Sequence, residues 1–289
     1  MRAENNLASD GNVPRARVLR VPVHVINLHE VVRQMDGWIQ KGDRPRWIAV
    51  TSSHGIMEGF EHPEFKQILE SAALSVPDGK WAARAAAARL SLAPQQVRGA
   101  DLMLAFCALA NERGYSAYFF GDTDDVLARL TSRLRGQFPG MRIAGAYSPP
   151  FRPLSTEEND QIIKRINEAK PHVLWVCLGL PKQERWIFAN RQKLDVPIVI
   201  AAGAAAKFVS GSVAPAPTWI RERGFEWLWR LIREPRRCWR RSMVYGPQFA
   251  FYTILELSGF RSYDYGGPDG SARPARRWFH QRVGRVIRN

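Results

Sequence analysis

Several patterns that would identify a common class of enzyme are missing from this sequence. It has neither a Gly-rich dinucleotide-binding fingerprint nor a P-loop. Its three cysteines, Cys107, Cys177 and Cys238, form no pair motif, and no His/Cys cluster has the spacing of zinc ligands. We therefore expect three buried thiols in a reducing compartment, and neither a disulfide framework nor a structural zinc ion.

Long apolar runs are also missing. Residues 1–10 are polar and lack the apolar region of a signal peptide. The most apolar stretch, residues 243–260, contains Pro247 and Glu256. Since a membrane-spanning helix needs about 20 apolar residues, we interpret this stretch as buried or interfacial.

Negative charge is scarce, and lysine is absent from the last quarter of the chain. The net charge is +15, and from Trp219 onward 15 arginines face six acidic residues, which leaves +9 there. So much positive charge predicts a polyanionic partner. Three interpretations of these arginines remain open: a solvated face, a membrane-surface helix whose aromatic residues enter the interface, or a nucleic-acid contact.

Strands and helices alternate along most of the chain. This order predicts an α/β fold, a largely parallel sheet with helices on both faces, followed by a basic helical appendage. Ala214-Pro-Ala-Pro217 marks the boundary, and residues 219–241 beyond it are helical in pattern. Within the core, Ser155-Thr-Glu-Glu158 is a capping-box pattern that predicts the start of a helix. We predict a disordered N-terminus over 1–16, a catalytic core over 17–213, an Arg/Trp-rich membrane-associating appendage over 214–260, and a basic flexible tail over 261–289.

One stretch has the arrangement of a ligand site, Leu178-Gly-Leu-Pro-Lys-Gln-Glu-Arg-Trp186. It follows an apolar strand and opens a helix. Ligands of open parallel sheets bind outside the carboxyl ends of the strands, where the first turn of a helix also offers N–H groups to anions. Lys182, Gln183 and Glu184 lie at this edge, and Gly179, Lys182 and Gln183 are the candidate binding residues.

Asp78 is the candidate catalytic group. It lies in Pro77-Asp78-Gly79, just past a short apolar strand, where a rigidly held carboxylate can accept a proton from a hydroxyl nucleophile. The same tripeptide is also an ordinary turn signal. At the next junction of loop and helix, Gly99 precedes Asp101, which either contributes to the site or caps its helix.

Other polar residues follow predicted strands. Thr51 and Ser53 either bind a ligand or cap the next helix, and His54 is either a base or a surface residue. Gly121-Asp122 is a weaker signal of the same kind. We assign no Asp-x-Asp pair as a divalent-cation site and expect no cofactor, so Arg, Lys and backbone N–H groups would have to neutralise a diphosphate.

These stretches, taken in order, resemble the WecG/TagA/CpsF family of bacterial glycosyltransferases. The specific part is the Pro-Lys-Gln-Glu block followed by Glu-Trp-Leu and Glu-Pro-Arg-Arg. The matching segments cover roughly residues 18–250: Val50 to Ser53, Pro77-Asp78-Gly79, Arg98-Gly-Ala-Asp-Leu102, Tyr147-Ser-Pro-Pro-Phe-Arg-Pro153, Gly179-Leu-Pro-Lys-Gln-Glu184, Gly203, Ala214-Pro215 and Gly224 to Arg237.

The resemblance implies an inverting, metal-independent transfer of a hexose or N-acetylhexosamine from a UDP-sugar. The implied acceptor is a polyprenyl-diphosphate-linked saccharide at the inner face of the cytoplasmic membrane, for teichoic acid, common antigen or exopolysaccharide. It also implies a Rossmann-like core and an appendage that reaches an anionic membrane surface. Homo-oligomers are possible, and nucleic acid is not an expected partner.

Site residues carry over by position. Asp78 matches the general base, Thr51 and Gln183 match donor-pocket groups, and Arg98 matches a core arginine. The arginines implied to close over the diphosphate are Arg230, Arg237 and Arg240.

The chain also departs from the family pattern. It has Thr51-Ser52-Ser53 in place of Thr-x-Asn, and Lys207-Phe208 where many members have Phe-Asp. Two alternatives from other classes are a basic nucleic-acid-binding protein and a non-catalytic peripheral membrane scaffold.

Overall fold

A six-stranded parallel sheet in the order β4-β3-β8-β7-β5-β6 forms the centre of the protein, and a two-stranded antiparallel hairpin, β1-β2, precedes it. The computed structural model describes residues 13–42, 45–233, 235–261 and 263. The α/β fold with a parallel sheet is confirmed. The strands are β1 Arg15–Val18, β2 Val21–His24, β3 Arg46–Thr51, β4 Leu74–Pro77, β5 Ser116–Gly121, β6 Arg142–Tyr147, β7 Val173–Cys177 and β8 Ile198–Ala201.

Helices cover both faces of the sheet. The helices of the core are α1 Leu28–Lys41, α2 Ser53–Glu61, α3 Pro63–Glu70, α4 Lys80–Leu90, α5 Gly99–Arg113, α6 Asp124–Gln137, α7 Thr156–Ala169, α8 Lys182–Asn190 and α9 Ala205–Val209. Helices α2, α3, α4, α7 and α8 contribute to the core on one face, and α1, α5, α6 and α9 to the core on the other. The connections from β3 to β4, β6 to β7 and β7 to β8 move toward β4 over the first face, and the connection from β5 to β6 moves the other way over the second, as right-handed crossovers require.

Local signals in the sequence begin two of these helices. Asn27 and Glu30 form a capping box at the start of α1, and Ser155 and Glu158 form the one expected at α7. Each box satisfies two otherwise unpaired backbone N–H groups. Helix starts are therefore well determined by short-range chemistry where such a box exists.

The appendage consists of short helices rather than one long one. They are α10 Thr218–Arg223, α11 Glu226–Arg233, α12 Pro235–Trp239, a π-helical turn Arg240–Tyr245, and α13 Gly246–Leu257. The helical pattern over 219–241 is thus divided among several short helices. Gly224, in the left-handed region with φ 84°, ends α10 because it turns the chain away from the helix axis.

The last helix joins the appendage to the core. Glu256 is buried, and its carboxylate accepts a hydrogen bond of 3.2 Å from the backbone N–H of Leu19. Tyr252 packs against Phe60 of α2, with ring centroids 5.2 Å apart. In the part of the chain that the structure describes, no helix is long and apolar enough to span a membrane.

One predicted boundary differs from the structure. Strand β1 begins at Arg15, inside the stretch expected to be disordered, because Ala16 and Val18 are buried against the core. The disorder predicted for residues 1–12, and all of the flexible tail except 261 and 263, lie outside the described residues. The three cysteines are free and buried, as expected, and burial raises the pKa of the Cys107 thiol to about 12.

Candidate active site

The carboxyl ends of four adjacent strands bring the predicted site residues to one edge of the sheet. In spatial order, Asp78 follows β4, Thr51 ends β3, Gly203 follows β8 and Gly179 follows β7. Neighbouring strands lie about 4.8 Å apart, so these positions form a row. The chain leaves β5 and β7 in opposite directions, which places a topological switch point, the usual ligand crevice of such sheets, beside this row.

Asp78 is held rigidly at this edge. Its backbone N–H donates to the carbonyl of Thr51 at 3.0 Å, and its carbonyl accepts from Gln96 Nε2 at 2.7 Å. Its Oδ1 accepts from the backbone N–H of Gly99, the first residue of α5, at 3.2 Å. The carboxylate therefore takes over the capping role at α5, where the N-cap residue Arg98 makes no side-chain cap bond.

The start of α5 is close-packed against the sheet. A Cβ on Gly99 would lie 3.0 Å from the carbonyl oxygen of Ala202, so glycine permits this approach. Asp101 is the third helical residue and does not cap the helix, which corrects one of the two expected roles. It pairs with Arg98, with Nε 3.0 Å from Oδ2, and both side chains are partly exposed on the same rim.

Thr51 and Ser53 do not cap α2, because its N-cap residue is Ser52. Thr51 is 2% exposed, and its hydroxyl lies 2.9 Å from that of Ser75 on the neighbouring strand. Ser53 is the first residue of α2 and is half-buried. His54 stacks on Tyr245 of the appendage, with centroids 4.4 Å apart.

Gln183 is the most enclosed of the predicted binding residues. It is 1% exposed. Its Oε1 accepts two backbone N–H bonds, from Gly179 at 3.2 Å and from Gly203 at 2.9 Å. One amide oxygen therefore links the turns after β7 and β8. Both glycines have positive φ, 82° and 59°, which other residues adopt only with strain.

The neighbours of Gln183 differ sharply in exposure. Lys182 is exposed, and its Nζ lies 5.3 Å from the ring centroid of Phe151, a fully exposed residue of the Pro-rich loop after β6. Glu184 is 1% exposed; its Oε1 accepts from Gln183 Nε2 at 2.8 Å, and its Oε2 has no hydrogen-bond partner among the described residues. Burial raises the pKa of Glu184 to about 7.

An Asp-x-Asp sequence does occur, Asp122-Thr123-Asp124, at the end of β5, and the sequence analysis passed over it. Asp122 has φ 64°, and its Oδ1 accepts from the N–H of Thr123 at 3.0 Å. Lys207 Nζ lies 3.6 Å from the same oxygen. A side-chain cation thus neutralises this carboxylate. No group of three or more potential metal ligands occurs among the described residues.

One appendage arginine reaches the row of strand ends. Arg230 places its guanidinium 5.2 Å from the ring centroid of Phe208 on α9, and its Nε is buried without a hydrogen-bond partner among the described residues. Arg240 is exposed at the start of the π-helical turn. The prediction for Arg237 concerns a side chain outside the described part of the structure.

The structure also reveals two residues that the sequence analysis missed. The hydroxyl of Ser75 forms a hydrogen bond with the hydroxyl of Thr51, and Lys207 forms an ion pair with the carboxylate of Asp122. Ser75 had a signal, a small polar residue within an apolar strand, whereas nothing in the sequence pairs Lys207 with Asp122 across 85 positions. The edge thus combines one anchored carboxylate, glycine-rich turns and an incoming arginine, a set suited to taking a proton from a hydroxyl beside an anionic leaving group.

Comparison with known proteins agrees with this geometry. A 27% identical relative from Bacillus subtilis, N-acetylglucosaminyldiphosphoundecaprenol N-acetyl-beta-D-mannosaminyltransferase, aligns over 193 residues, 67% of this chain and 73% of the relative. A protein of the same name from Bacillus spizizenii is 27% identical over 64% of this chain and 70% of its own length. The family described as glycosyl transferase WecG/TagA/CpsF matches residues 16–263. This chain therefore belongs to the WecG/TagA/CpsF family and is a glycosyltransferase.

Proposed function

We propose that the protein transfers an N-acetylhexosamine or hexose from a UDP-sugar to a polyprenyl-diphosphate-linked saccharide during synthesis of a cell-surface polysaccharide. The names of its two relatives support the acceptor class, since both act on an N-acetylglucosaminyl-diphosphoundecaprenol. The observation that carries the proposal is the anchored carboxylate of Asp78 at the sheet edge that ligands of this fold use.

The reaction is a single displacement with inversion. The acceptor hydroxyl attacks C1 of the donor sugar, the bond between C1 and the diphosphate oxygen breaks, and the hydroxyl proton passes to Asp78. Three hydrogen bonds fix the residue: its backbone bonds Thr51 and Gln96, and its carboxylate accepts from the N–H of Gly99. Positioning of this kind supports general-base catalysis, which typically contributes a factor of about 10² to 10⁴.

The leaving diphosphate is neutralised by protein groups rather than by a divalent cation. Arg230 supports this role, because its buried Nε has no hydrogen-bond partner among the described residues and its guanidinium lies over Phe208 on α9, the helix that follows β8. Lys207 supports the same role, since it forms an ion pair with the carboxylate of Asp122, which would otherwise be available to a metal ion. Thr51, Ser53, Arg98, Asp101, Gly179, Lys182 and Gln183 form the donor pocket, with Arg237 and Arg240 closing it from the appendage.

The exposed residues of the appendage support a location of this site at the inner face of the cytoplasmic membrane. Large apolar side chains are exposed along it, among them Ile232 at 69%, Ile254 at 65% and Phe260 at 87%. Arginines accompany them, for example Arg233 over the ring of Trp229. Basic and exposed apolar residues together favour an anionic membrane surface over nucleic acid, which would use the positive charge but not the aliphatic residues.

The deciding experiment is a thermal-shift panel of UDP, GDP and their sugars on the purified protein, followed by transfer of a radiolabelled sugar to a short-chain polyprenyl-diphosphate N-acetylglucosamine. We expect UDP and a UDP-N-acetylhexosamine to raise the melting temperature and label to appear in the lipid product. Stabilisation by RNA without any response to nucleotides would instead support the nucleic-acid alternative. Nucleotide binding without transfer would support the scaffold.

A further inference from the structure

Glu184 is a buried carboxyl group with one oxygen that has no hydrogen-bond partner among the described residues. It is 1% exposed, and no cationic side chain of the described chain pairs with it; Nη2 of the neighbouring Arg185 lies instead 3.8 Å from Glu58 Oε1 and 3.5 Å from Glu64 Oε1. A half-satisfied buried carboxyl group destabilises a fold. A methionine or leucine would fill the same space at lower cost, so the carboxyl group calls for an explanation other than packing.

The hydrogen bond between Glu184 and Gln183 supplies that explanation. Oε1 of Glu184 accepts a hydrogen bond from Nε2 of Gln183 at 2.8 Å. The other end of the same amide, Oε1 of Gln183, accepts from the N–H groups of Gly179 and Gly203. The two ends of an amide have nearly the same shape. A flipped amide would direct its NH₂ group at two backbone donors. An acceptor at the position of Glu184 selects the orientation that links the two turns.

We propose that Glu184 is a positioning residue that acts through Gln183: by accepting from its amide, Glu184 keeps the glycine turns after β7 and β8 in the geometry that binds the donor. The expected effect on kinetics rests on the proposed function. The geometry of the turns does not, because it can be measured without any substrate. Burial raises the pKa of Glu184, with a smaller contribution from Glu58, which is consistent with a carboxyl group that hydrogen-bonds without an ion pair.

The test compares Glu184→Met, which removes the acceptor but keeps the volume, with Glu184→Gln, which keeps an acceptor oxygen. In Glu184→Met we expect unchanged or higher thermal stability, faster hydrogen exchange at the N–H groups of Gly179 and Gly203, and a donor KM raised about tenfold with little change in kcat. Glu184→Gln should restore both exchange and KM. Glu58→Gln removes the neighbouring carboxylate without touching the amide and serves as the matched control.

A double-mutant cycle with Gln183→Met separates action through Gln183 from an independent effect. If Glu184 acts through the amide, the double variant binds donor no more weakly than Gln183→Met alone; additive losses would overturn the proposal. Wild-type exchange rates and KM in Glu184→Met, or a Glu184→Gln variant as impaired as Glu184→Met, would overturn it as well.

A measurement on the wild-type protein covers the case in which Glu184→Met does not fold. The NMR signals of the Gln183 side-chain NH₂ should shift with the ionisation of Glu184, and this shift should disappear in Glu184→Gln. If the signals of the Gln183 NH₂ group do not shift as Glu184 ionises, the proposal is overturned. A wild-type protein that shows the coupling but neither binds nor transfers a UDP-sugar would refute the proposed function and leave the positioning role intact.

Discussion

The sheet edge and the appendage contribute to the same site in opposite ways. At the edge, the side chains expected to hold the donor are already engaged: Thr51 with Ser75, Gln183 with two glycine N–H groups, and Asp78 with the start of α5. In the appendage, large apolar side chains and arginines are exposed, and Arg230 has a buried Nε without a hydrogen-bond partner in the described chain.

The sheet edge thus contributes fixed geometry to the site, and the appendage contributes positive charge. The edge is a fixed frame whose polar groups hold one another in place, so that only a few atoms, chiefly the carboxylate of Asp78 and the backbone of the turns, remain for substrate. The appendage supplies cations and apolar surface that find their partners only in a ligand or a membrane. Substitutions at the edge should therefore lower the rate of transfer, whereas substitutions in the appendage should weaken membrane binding.

Asp78→Asn should have the largest effect on transfer. The asparagine oxygen can still accept the N–H of Gly99, so the fold and donor binding should persist, whereas the proton acceptor is lost. We expect kcat to fall about 10²-fold or more, as for other general bases. Steady-state kinetics and a melting curve check this. Near-normal turnover would remove Asp78 from catalysis and leave it as a helix cap.

Replacing exposed appendage arginines should weaken membrane binding and leave the fold intact. Arg223, Arg233 and Arg236 are exposed, and each cation near an anionic surface contributes about 1 kcal/mol. The triple change to glutamine should reduce binding to anionic vesicles by about 100-fold, measured by sedimentation at low salt. Deleting the whole appendage is a poorer test, because Glu256 and Tyr252 pack on the core.

The matched control for this prediction removes the same charge from the core. Arg129, Arg133 and Arg135 are exposed on α6, and their triple change to glutamine should leave vesicle binding close to that of the wild type. Equal losses in both triple variants would mean that net charge, rather than the appendage face, attracts the protein to the membrane. The distinction between the two regions would then fail.

The pH dependence of stability should reveal the buried carboxyl group of the edge. The folded pKa of Glu184 is about 7 against an ordinary value of 4.5, so between these values the folded state holds a proton that the unfolded chain has lost. The contribution of Glu184 to the stability of the folded state is present at low pH and is lost as the pH rises through 7. Glu184→Gln should therefore melt at an increasingly higher temperature than the wild type from pH 5 to pH 8. A constant difference would contradict this.

Removing divalent cations should have the smallest effect. Because Lys207 pairs with Asp122 and Arg230 lies at the edge, we expect transfer to be unchanged by EDTA and not stimulated by Mg²⁺ or Mn²⁺. Asp124→Asn should likewise leave transfer unaltered. Loss of transfer in EDTA, restored by Mn²⁺, would show that the Asp122-Thr123-Asp124 sequence holds a metal ion and that the edge does not work by protein charges alone.

The sequence by itself determined the architecture and the family. Alternating apolar strands and amphipathic helices predicted the parallel sheet, because each strand has to be buried on both faces. Local chemistry predicted the capping box at Ser155. The positions of Asp78, Thr51 and Gln183 along the chain placed all three at strand ends, and a parallel sheet brings strand ends to one edge. The family resemblance followed from the same motifs and was confirmed.

Only the tertiary structure decided what each side chain contacts. Hydrogen bonds between residues distant in sequence assign the hydroxyl of Thr51 to Ser75 and the carboxylate of Asp78 to the N–H of Gly99, pairings that no local pattern encodes. The break of the appendage into short helices, the pairing of Lys207 with Asp122 and the burial of Glu184 have the same origin. Periodicity and motif fix which residues reach an edge, whereas burial and partner geometry arise only when separate elements pack together.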